Sequence, residues 1–248
     1  MKNNILNIYI DNFSKSEVLA RMREFLRASG QHKIFTPNPE MLVLASRDSE
    51  FKNILNSADI LVPDGFGLIL AARFLGMPFC ERITGVDLVY EITKIAAEEN
   101  KSIFLLGGGE GVSGIAATKL SSELNVKLSM FQWLDGLKIN NKNAQGIIEK
   151  VNSITPDVLF VAFGHGKQER FINDNLHKMP SVKLALGIGG ALDFISGETR
   201  RAPKILQKIG LEWLWRLILE PRRILRIFDA VIIFPIKVLF EKNKSTSK

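Results

Sequence analysis

Cysteine is nearly absent from this 248-residue chain: Cys80 stands alone, so no disulfide framework exists and nothing points to an oxidising compartment. Histidine is scarce as well. His32, His165 and His177 are scattered, which supports no histidine-centred triad, and there is no His/Cys cluster at metal-ligand spacing. No D-x-D occurs, so no acidic pair is offered to a nucleotide-bound divalent cation. Long apolar runs are missing too. Ile227–Phe240 is interrupted by Asp229, Pro235 and Lys237, and a spanning helix needs roughly 20 predominantly apolar residues. The opening MKNNILNIYIDNFS lacks an apolar core of signal-peptide length, so no leader is expected. Repeats are absent, and the one low-complexity tract, the terminal EKNKSTSK, reads as disordered.

What the chain does have is a lopsided charge. Arg200–Lys248 holds 12 Lys/Arg against 4 Asp/Glu, a charge of +8 that exceeds the +7 of the whole chain. The same tail carries Trp213, Trp215 and the apolar Ile227–Phe240. Basic residues, indoles and aliphatics in one segment suit a surface that is anionic outside and oily inside, so a phospholipid leaflet is the first reading. A solvated basic extension with a small docking helix is the alternative. A hydrophobic share of 46% and a charged share of 24% are ordinary for a globular protein.

Short β-branched or apolar runs alternate with amphipathic stretches of helical length. Strands are expected over Ile5–Ile10, Lys33–Thr36, Asp59–Val62, Ile103–Leu106, Lys127–Phe131, Val158–Phe163 and Lys183–Ile188. Helices are expected over Asp87–Glu99, Ser113–Leu124 and Gln168–His177. This alternation predicts an α/β fold with a largely parallel sheet and helices on both faces, whose site lies beyond the carboxyl ends of the strands. Five of those ends run into polar, Gly- or Pro-rich loops, at Thr36–Glu40, Pro63–Gly67, Gly107–Gly111, Gly164–Glu169 and Gly189–Asp193. Gathered on one edge they would form one polar cleft. Residues 1–200 are expected to form the core and residues 201–248 a basic amphipathic appendage with a disordered end.

Each loop offers candidate chemistry. Gly109–Gly114 fits G-x-G-x-x-G with Asp135 placed as a ribose ligand would be, which suits phosphate, a tight turn or, less specifically, NAD. Asp64, between Pro63 and Gly65, can serve as a general base if burial raises its pKa, or can cap the helix beginning near Phe66. Thr36 and Asn38 can hydrogen-bond a sugar or cap a helix at Met41. Arg82 can grip a diphosphate bidentately or pair with Glu81 or Asp87. In the tail, Arg216 and Arg223 are seven apart and nearly eclipsed on a helix, with Arg226 three further on, though Pro221 interrupts that wheel.

Taken in order, TPNPEML (Thr36–Leu42), PDGFGLILAARFLGMPFCERITGVDL (Pro63–Leu88), FLLGGGEGV (Phe104–Val112), GKQERFI (Gly166–Ile172), GIGGALDFISGETRRAP (Gly187–Pro203) and GLEWLWRLILEPRRILR (Gly210–Arg226) resemble the WecG/TagA/CpsF glycosyltransferases. The resemblance implies a Rossmann-like, metal-independent inverting transferase without a cofactor. It would move a sugar, N-acetylmannosamine in the best-described case, from a UDP-sugar to an undecaprenyl-diphosphate-linked GlcNAc in cell-wall or surface polysaccharide synthesis. It implies a cytoplasmic enzyme, peripheral on the inner face of the plasma membrane. Asp64 matches the base, with Thr36 and Asn38 as active-site polar residues. Arg82 and Gln168 match substrate contacts, Asp193 would lie near the nucleotide, and Arg216, Arg223 and Arg226 match a C-terminal appendage that closes over the diphosphate. Gly107, Gly108 and Gly109 would help hold nucleotide or phosphate. The family pattern G-x-P-K-Q-E has Gly166 in place of its proline here, which is expected to loosen the loop presenting Gln168. An anionic membrane surface is an expected partner, nucleic acid is not, and an exposed apolar tail favours self-association. The rival readings are an NAD-dependent oxidoreductase and a non-catalytic membrane-surface scaffold.

Overall fold

The computed structural model of the chain describes residues 2–136, 143–203, 205–206 and 210–246. It opens with an antiparallel hairpin, β1 (Lys2–Ile5) and β2 (Ile8–Asp11). A single strand expected over Ile5–Ile10 is therefore two. Leu6 and Asn7 both take positive φ, 52° and 62°, the geometry of a two-residue hairpin turn. The hairpin is followed by α1 (Lys15–Arg27), β3 (His32–Phe35), α2 (Pro39–Arg47), α3 (Ser49–Asn56), β4 (Ile60–Leu61), α4 (Phe66–Phe74) and α5 (Gly85–Glu98). Next come β5 (Ile103–Gly107), α6 (Val112–Leu124), β6 (Phe131–Leu134), α7 (Ala144–Ile154), β7 (Val158–Ala162), α8 (Lys167–Asn175), β8 (Leu184–Gly187) and α9 (Ala191–Ser196). The C-terminal segment forms α10 (Glu212–Leu219), a 3-10 turn Pro221–Arg223, α11 (Ile224–Phe228), a π-helical stretch Asp229–Ile233 and α12 (Phe234–Thr246).

Strands β3 to β8 form one parallel sheet in the order β4-β3-β8-β7-β5-β6. The fold class is the expected α/β. The strand placed at Lys127–Phe131 begins later: Leu128–Met130 is a 3-10 turn and the ladder runs Phe131–Leu134. Leu128 is half exposed there, so its apolar character had signalled a strand that burial does not support. The terminal tract expected to be disordered is taken up by α12 as far as Thr246. Among the described residues no helix is long and apolar enough to cross a membrane.

The two faces of the sheet bury separate cores. On one, α1, α5, α6 and α9 cover Ile34, Leu105, Phe160 and Leu186. On the other, the hairpin, α2, α3, α4, α7, α8 and α12 cover Phe35, Leu106, Leu159 and Val161. Helix α2 thus leaves the end of β3 towards one face, while α9 leaves the end of the adjacent β8 towards the other. Divergence of neighbouring connections is what opens a crevice at the carboxyl edge of a doubly wound sheet. The register brings Phe35, Leu61, Gly187 and Val161 to one level there, so the loops that follow share that crevice.

Helix α12 is fastened to the second core by Phe234 and Val238, four residues apart and buried. Polar contacts orient it and the π-helical stretch before it: Glu241 of α12 accepts from Leu6 N–H at 3.0 Å, and Asp229 of that stretch pairs with Arg47 at 2.9 Å. We expect Phe234→Ala to lower the unfolding free energy by about 3–5 kcal/mol, and urea denaturation measures it.

Candidate active site

The loops after β3 and β4 are built as one piece. Thr36 is buried, and its Oγ1 donates to Gly187 O at 3.5 Å, tying the end of β3 to β8. Asp64 N–H donates to Pro37 O at 3.1 Å. A Cβ on Gly65 would lie 2.4 Å from the Pro39 ring and one on Gly67 2.9 Å from it, so only glycine permits this approach. Asn38 Oδ1 caps α2 by accepting from Met41 N–H at 3.0 Å. Asp64 does not cap α4. That position belongs to Gly65, with no side-chain cap, and the Asp64 carboxylate faces the crevice instead.

Around Asp64 the charges alternate. Its Oδ1 lies 3.6 Å from Arg82 Nη2, its Oδ2 accepts weakly from Gly85 N–H at 3.4 Å, and Arg82 Nε donates to its main-chain oxygen. The same Arg82 nitrogen lies 3.4 Å from Glu212, which also lies 3.4 Å from Arg216. Arg216 in turn stacks on Phe194, 4.9 Å from the ring centroid. The Glu81 and Asp87 pairings open to Arg82 are not made: Glu81 accepts from Lys15 N–H, and Asp87 forms a capping box with Thr84. Burial raises the Asp64 pKa above the ordinary carboxylate value, while Arg82 and Arg216 pull it down.

At β5 the glycines divide in role. Gly107 has φ 103°, and a Cβ there would lie 2.8 Å from Ala162 O, so it serves close strand packing and does not line the cavity. Gly108 and Gly109 do line it. Asp135 is spent on α6, accepting from Ser113 N–H at 3.1 Å. A dinucleotide site would want that helix end for pyrophosphate and the carboxylate for a ribose. Both are occupied by each other, which removes the ground for the NAD reading.

Beyond β7 and β8 lies a buried relay, of which the sequence had singled out Gln168, as a substrate contact, but not Glu169. Glu169 is fully buried. Its Oε2 accepts from Gly166 N–H at 2.6 Å and its Oε1 from Gln168 Nε2 at 2.7 Å. Gln168 Oε1 accepts from Gly189 N–H at 2.9 Å. The two glycine loops are therefore joined through Glu169 and Gln168. Gly166 has φ 81° and supplies an N–H. Proline can do neither, so Gly166 ties this loop down, contrary to the expected loosening. Its N-cap to N3 spacing with Glu169 was the available sequence signal.

The C-terminal segment closes the crevice. Arg216 and Arg223 do not share one helix, because the backbone breaks at Glu220 and turns through Pro221–Arg223, yet Arg216, Arg223 and Arg226 all line the cavity. Arg226 bridges Glu40, at 2.9 Å, and His165 Nδ1. Burial and Arg226 push His165 down to about 4, so its Nδ1 acts as an acceptor. Asp193 also lines the cavity, its pKa raised by burial and opposed by Arg223. The cavity measures about 360 Å³. Arg82, Lys167, Arg201, Arg216, Arg223 and Arg226 there outnumber Asp64, Asp193 and Glu212, leaving a cationic pocket with one carboxylate held beside two guanidiniums. Arg201, Glu212 and His165, which line the cavity, and Glu40, which holds Arg226, were not foreseen.

A family model for the glycosyl transferase WecG/TagA/CpsF family matches residues 3–248. The chain belongs to that glycosyltransferase family. Among curated relatives, an N-acetylglucosaminyldiphosphoundecaprenol N-acetyl-beta-D-mannosaminyltransferase of Bacillus subtilis (strain 168) is 34% identical over 215 residues, covering 86% of this chain and 81% of the relative. A protein of the same name from Staphylococcus aureus (strain MRSA252) is 29% identical over 245 residues, covering 98% and 94%.

The Glu169 relay is testable without turnover. Its pKa is raised from 4.5 to about 7 by burial, so the folded state holds this proton more tightly than the unfolded chain. The contribution to stability is complete below pH 4.5 and is lost as pH rises through about 7. Glu169→Gln should be less stable than the wild type at pH 5 and should lose less of its Tm between pH 5 and pH 8. Thermal unfolding at the two pH values measures both effects.

Proposed function

We propose that this glycosyltransferase moves N-acetylmannosamine from UDP-N-acetylmannosamine to GlcNAc-diphosphoundecaprenol, with inversion at the anomeric carbon. The observation that carries the reading is Asp64 at the meeting of the cleft's loops, its pKa raised by burial, beside Arg82 and Arg216. Asp64 takes the proton from the acceptor hydroxyl as that oxygen bonds to the anomeric carbon. The bond from that carbon to the UDP oxygen breaks, and UDP leaves with the electron pair. Its growing negative charge meets Arg216, Arg223 and Arg226 with Arg82, donors suited to diphosphate. Thr36 and Asn38 would hold sugar hydroxyls, and the relay through Gln168 would fix the Gly189–Gly190 wall beside Asp193. Gly108 and Gly109 would lie along the donor. The names of the relatives support the choice of donor sugar and lipid-linked acceptor.

The C-terminal segment would bring the enzyme to that lipid. Residues 201–248 are read as an appendage whose inward arginines complete the site, while Leu225, Phe228 and Ile232 are exposed on its outside. That surface would bind an anionic leaflet, placing the enzyme at the inner face of the plasma membrane.

Asp64→Asn should lower kcat by about 10²–10⁴-fold while UDP binding and Tm are retained; near-normal turnover would remove Asp64 from the base role. Truncation before Gly210 should abolish most activity even on a water-soluble short-chain acceptor. Unchanged activity there would reduce the segment to an anchor.

A further inference from the structure

Helix α4 has an unexplained outer face. It is apolar almost all round, with Leu68, Ala71 and Ala72 packed inward, and a helix of that composition is ordinarily covered on every side. Yet Leu70 and Phe74, four residues apart and so on one side, are 49% and 44% exposed.

Its position supplies the cover. Gly210, at the start of the C-terminal segment, leaves no room for a Cβ, which would lie 2.2 Å from the Phe66 ring. At the other end of α4, Lys242 Nζ donates to Phe74 O at 3.0 Å and lies 3.9 Å from the Phe74 ring centroid. The first residue of α4 therefore touches the beginning of the segment and the last touches its final helix. On α12, Phe234 and Val238 point inward, while Pro235, Ile236, Leu239 and Phe240 are exposed on the other side, as is Ile232 in the π-helical stretch just before it. Lys242 stands about 60° round that helix from Leu239, on the flank next to that exposed side. Phe74 thus lies beside that flank, and Leu70 shares its side of α4.

We propose that α4 is part of the membrane-binding surface, with Leu70 and Phe74 entering the same anionic lipid leaflet as the outer face of α12. The inference rests on the membrane reading above and extends it from the appendage to the catalytic core. Exposed cations, Arg73 within α4, Lys242 beside it and Arg222 on the segment, accompany the apolar surface. They suit lipid headgroups, whereas a second copy of the chain on the same patch would bring like charges together. Because Asp64 lies just ahead of α4, seating the helix would hold the cleft close to the leaflet that carries the acceptor.

The test is co-sedimentation of the full chain with phosphatidylcholine/phosphatidylglycerol vesicles. Leu70→Glu/Phe74→Glu should weaken partitioning by at least about tenfold, with Leu70→Ser/Phe74→Ser as a milder pair. Both should keep the wild-type Tm and turnover on a water-soluble acceptor. Ile115→Glu, an equally exposed position on α6 across the sheet, should partition as the wild type does. Wild-type partitioning by both α4 pairs would overturn this inference and leave the appendage reading standing. Failure of the wild type itself to bind would overturn both. Loss of a dimer in sedimentation velocity, with vesicle binding intact, would make the face an interface between copies and also overturn it.

Discussion

The arrangement of the site depends on a run of alternating charges, Asp64–Arg82–Glu212–Arg216, that starts in the core and ends in the C-terminal segment. Burial at the crevice floor favours the neutral form of Asp64 and makes it a better proton acceptor once ionised. The guanidiniums oppose that shift. Removing them would leave a partly buried carboxylate uncompensated; adding more would drain its basicity. Glu212 enters this balance by dividing the charge of Arg82 and Arg216 before any anion arrives. A diphosphate entering the pocket would compete with Glu212 for the same nitrogens, and on the proposed reading that would link donor binding to the basicity of Asp64.

That link works only if the segment stays docked, and the ion pairs are poor candidates for holding it. Arg47–Asp229 is 52% and 28% exposed, and pairs of that kind contribute about 0–1 kcal/mol. Burial of Phe234 and Val238 in the main core is worth more, roughly 1.5–3 kcal/mol for each side chain. Apolar contact fixes the segment, and the ionic contacts choose its rotation. With Phe234 and Val238 inward, helical geometry sends Ile236 and Phe240 outward, so the docking itself creates the exposed apolar stripe.

Much of the fold was legible because it is local. Buried β-branched runs and the polar loops behind them mark strand ends, and the five loops do meet on one edge. Strand order was not legible, since β3 beside β8 joins residues about 150 apart through packing that no single segment encodes. The errors have local causes: Leu6 and Asn7 turn a presumed strand into a hairpin, and an exposed Leu128 imitates a buried one. Of the site, Asp64, Thr36 and Arg82 could be marked as candidates. Their partners could not, because Glu212 reaches Arg82 across 130 residues, a contact no local pattern encodes. The NAD alternative for the G-x-G-x-x-G match loses its ground for a different reason. Asp135 has the spacing a ribose ligand needs, but the same spacing brings it to Ser113 N–H as an ordinary helix cap.

The charge imbalance of the last 49 residues thus has two physical outlets. Arg216, Arg223 and Arg226 line the crevice, where they would meet an anion. Arg222 and Lys242 remain outside beside exposed aliphatic and aromatic side chains. A single straight helix could serve both directions only by keeping strict register over its length. The break at Glu220 and Pro221 relaxes that demand, letting α10 aim Arg216 independently of how α11 and α12 meet the core. On the proposed reading, the interruption that undermines the helical wheel would allow one segment to face a diphosphate and a lipid surface together.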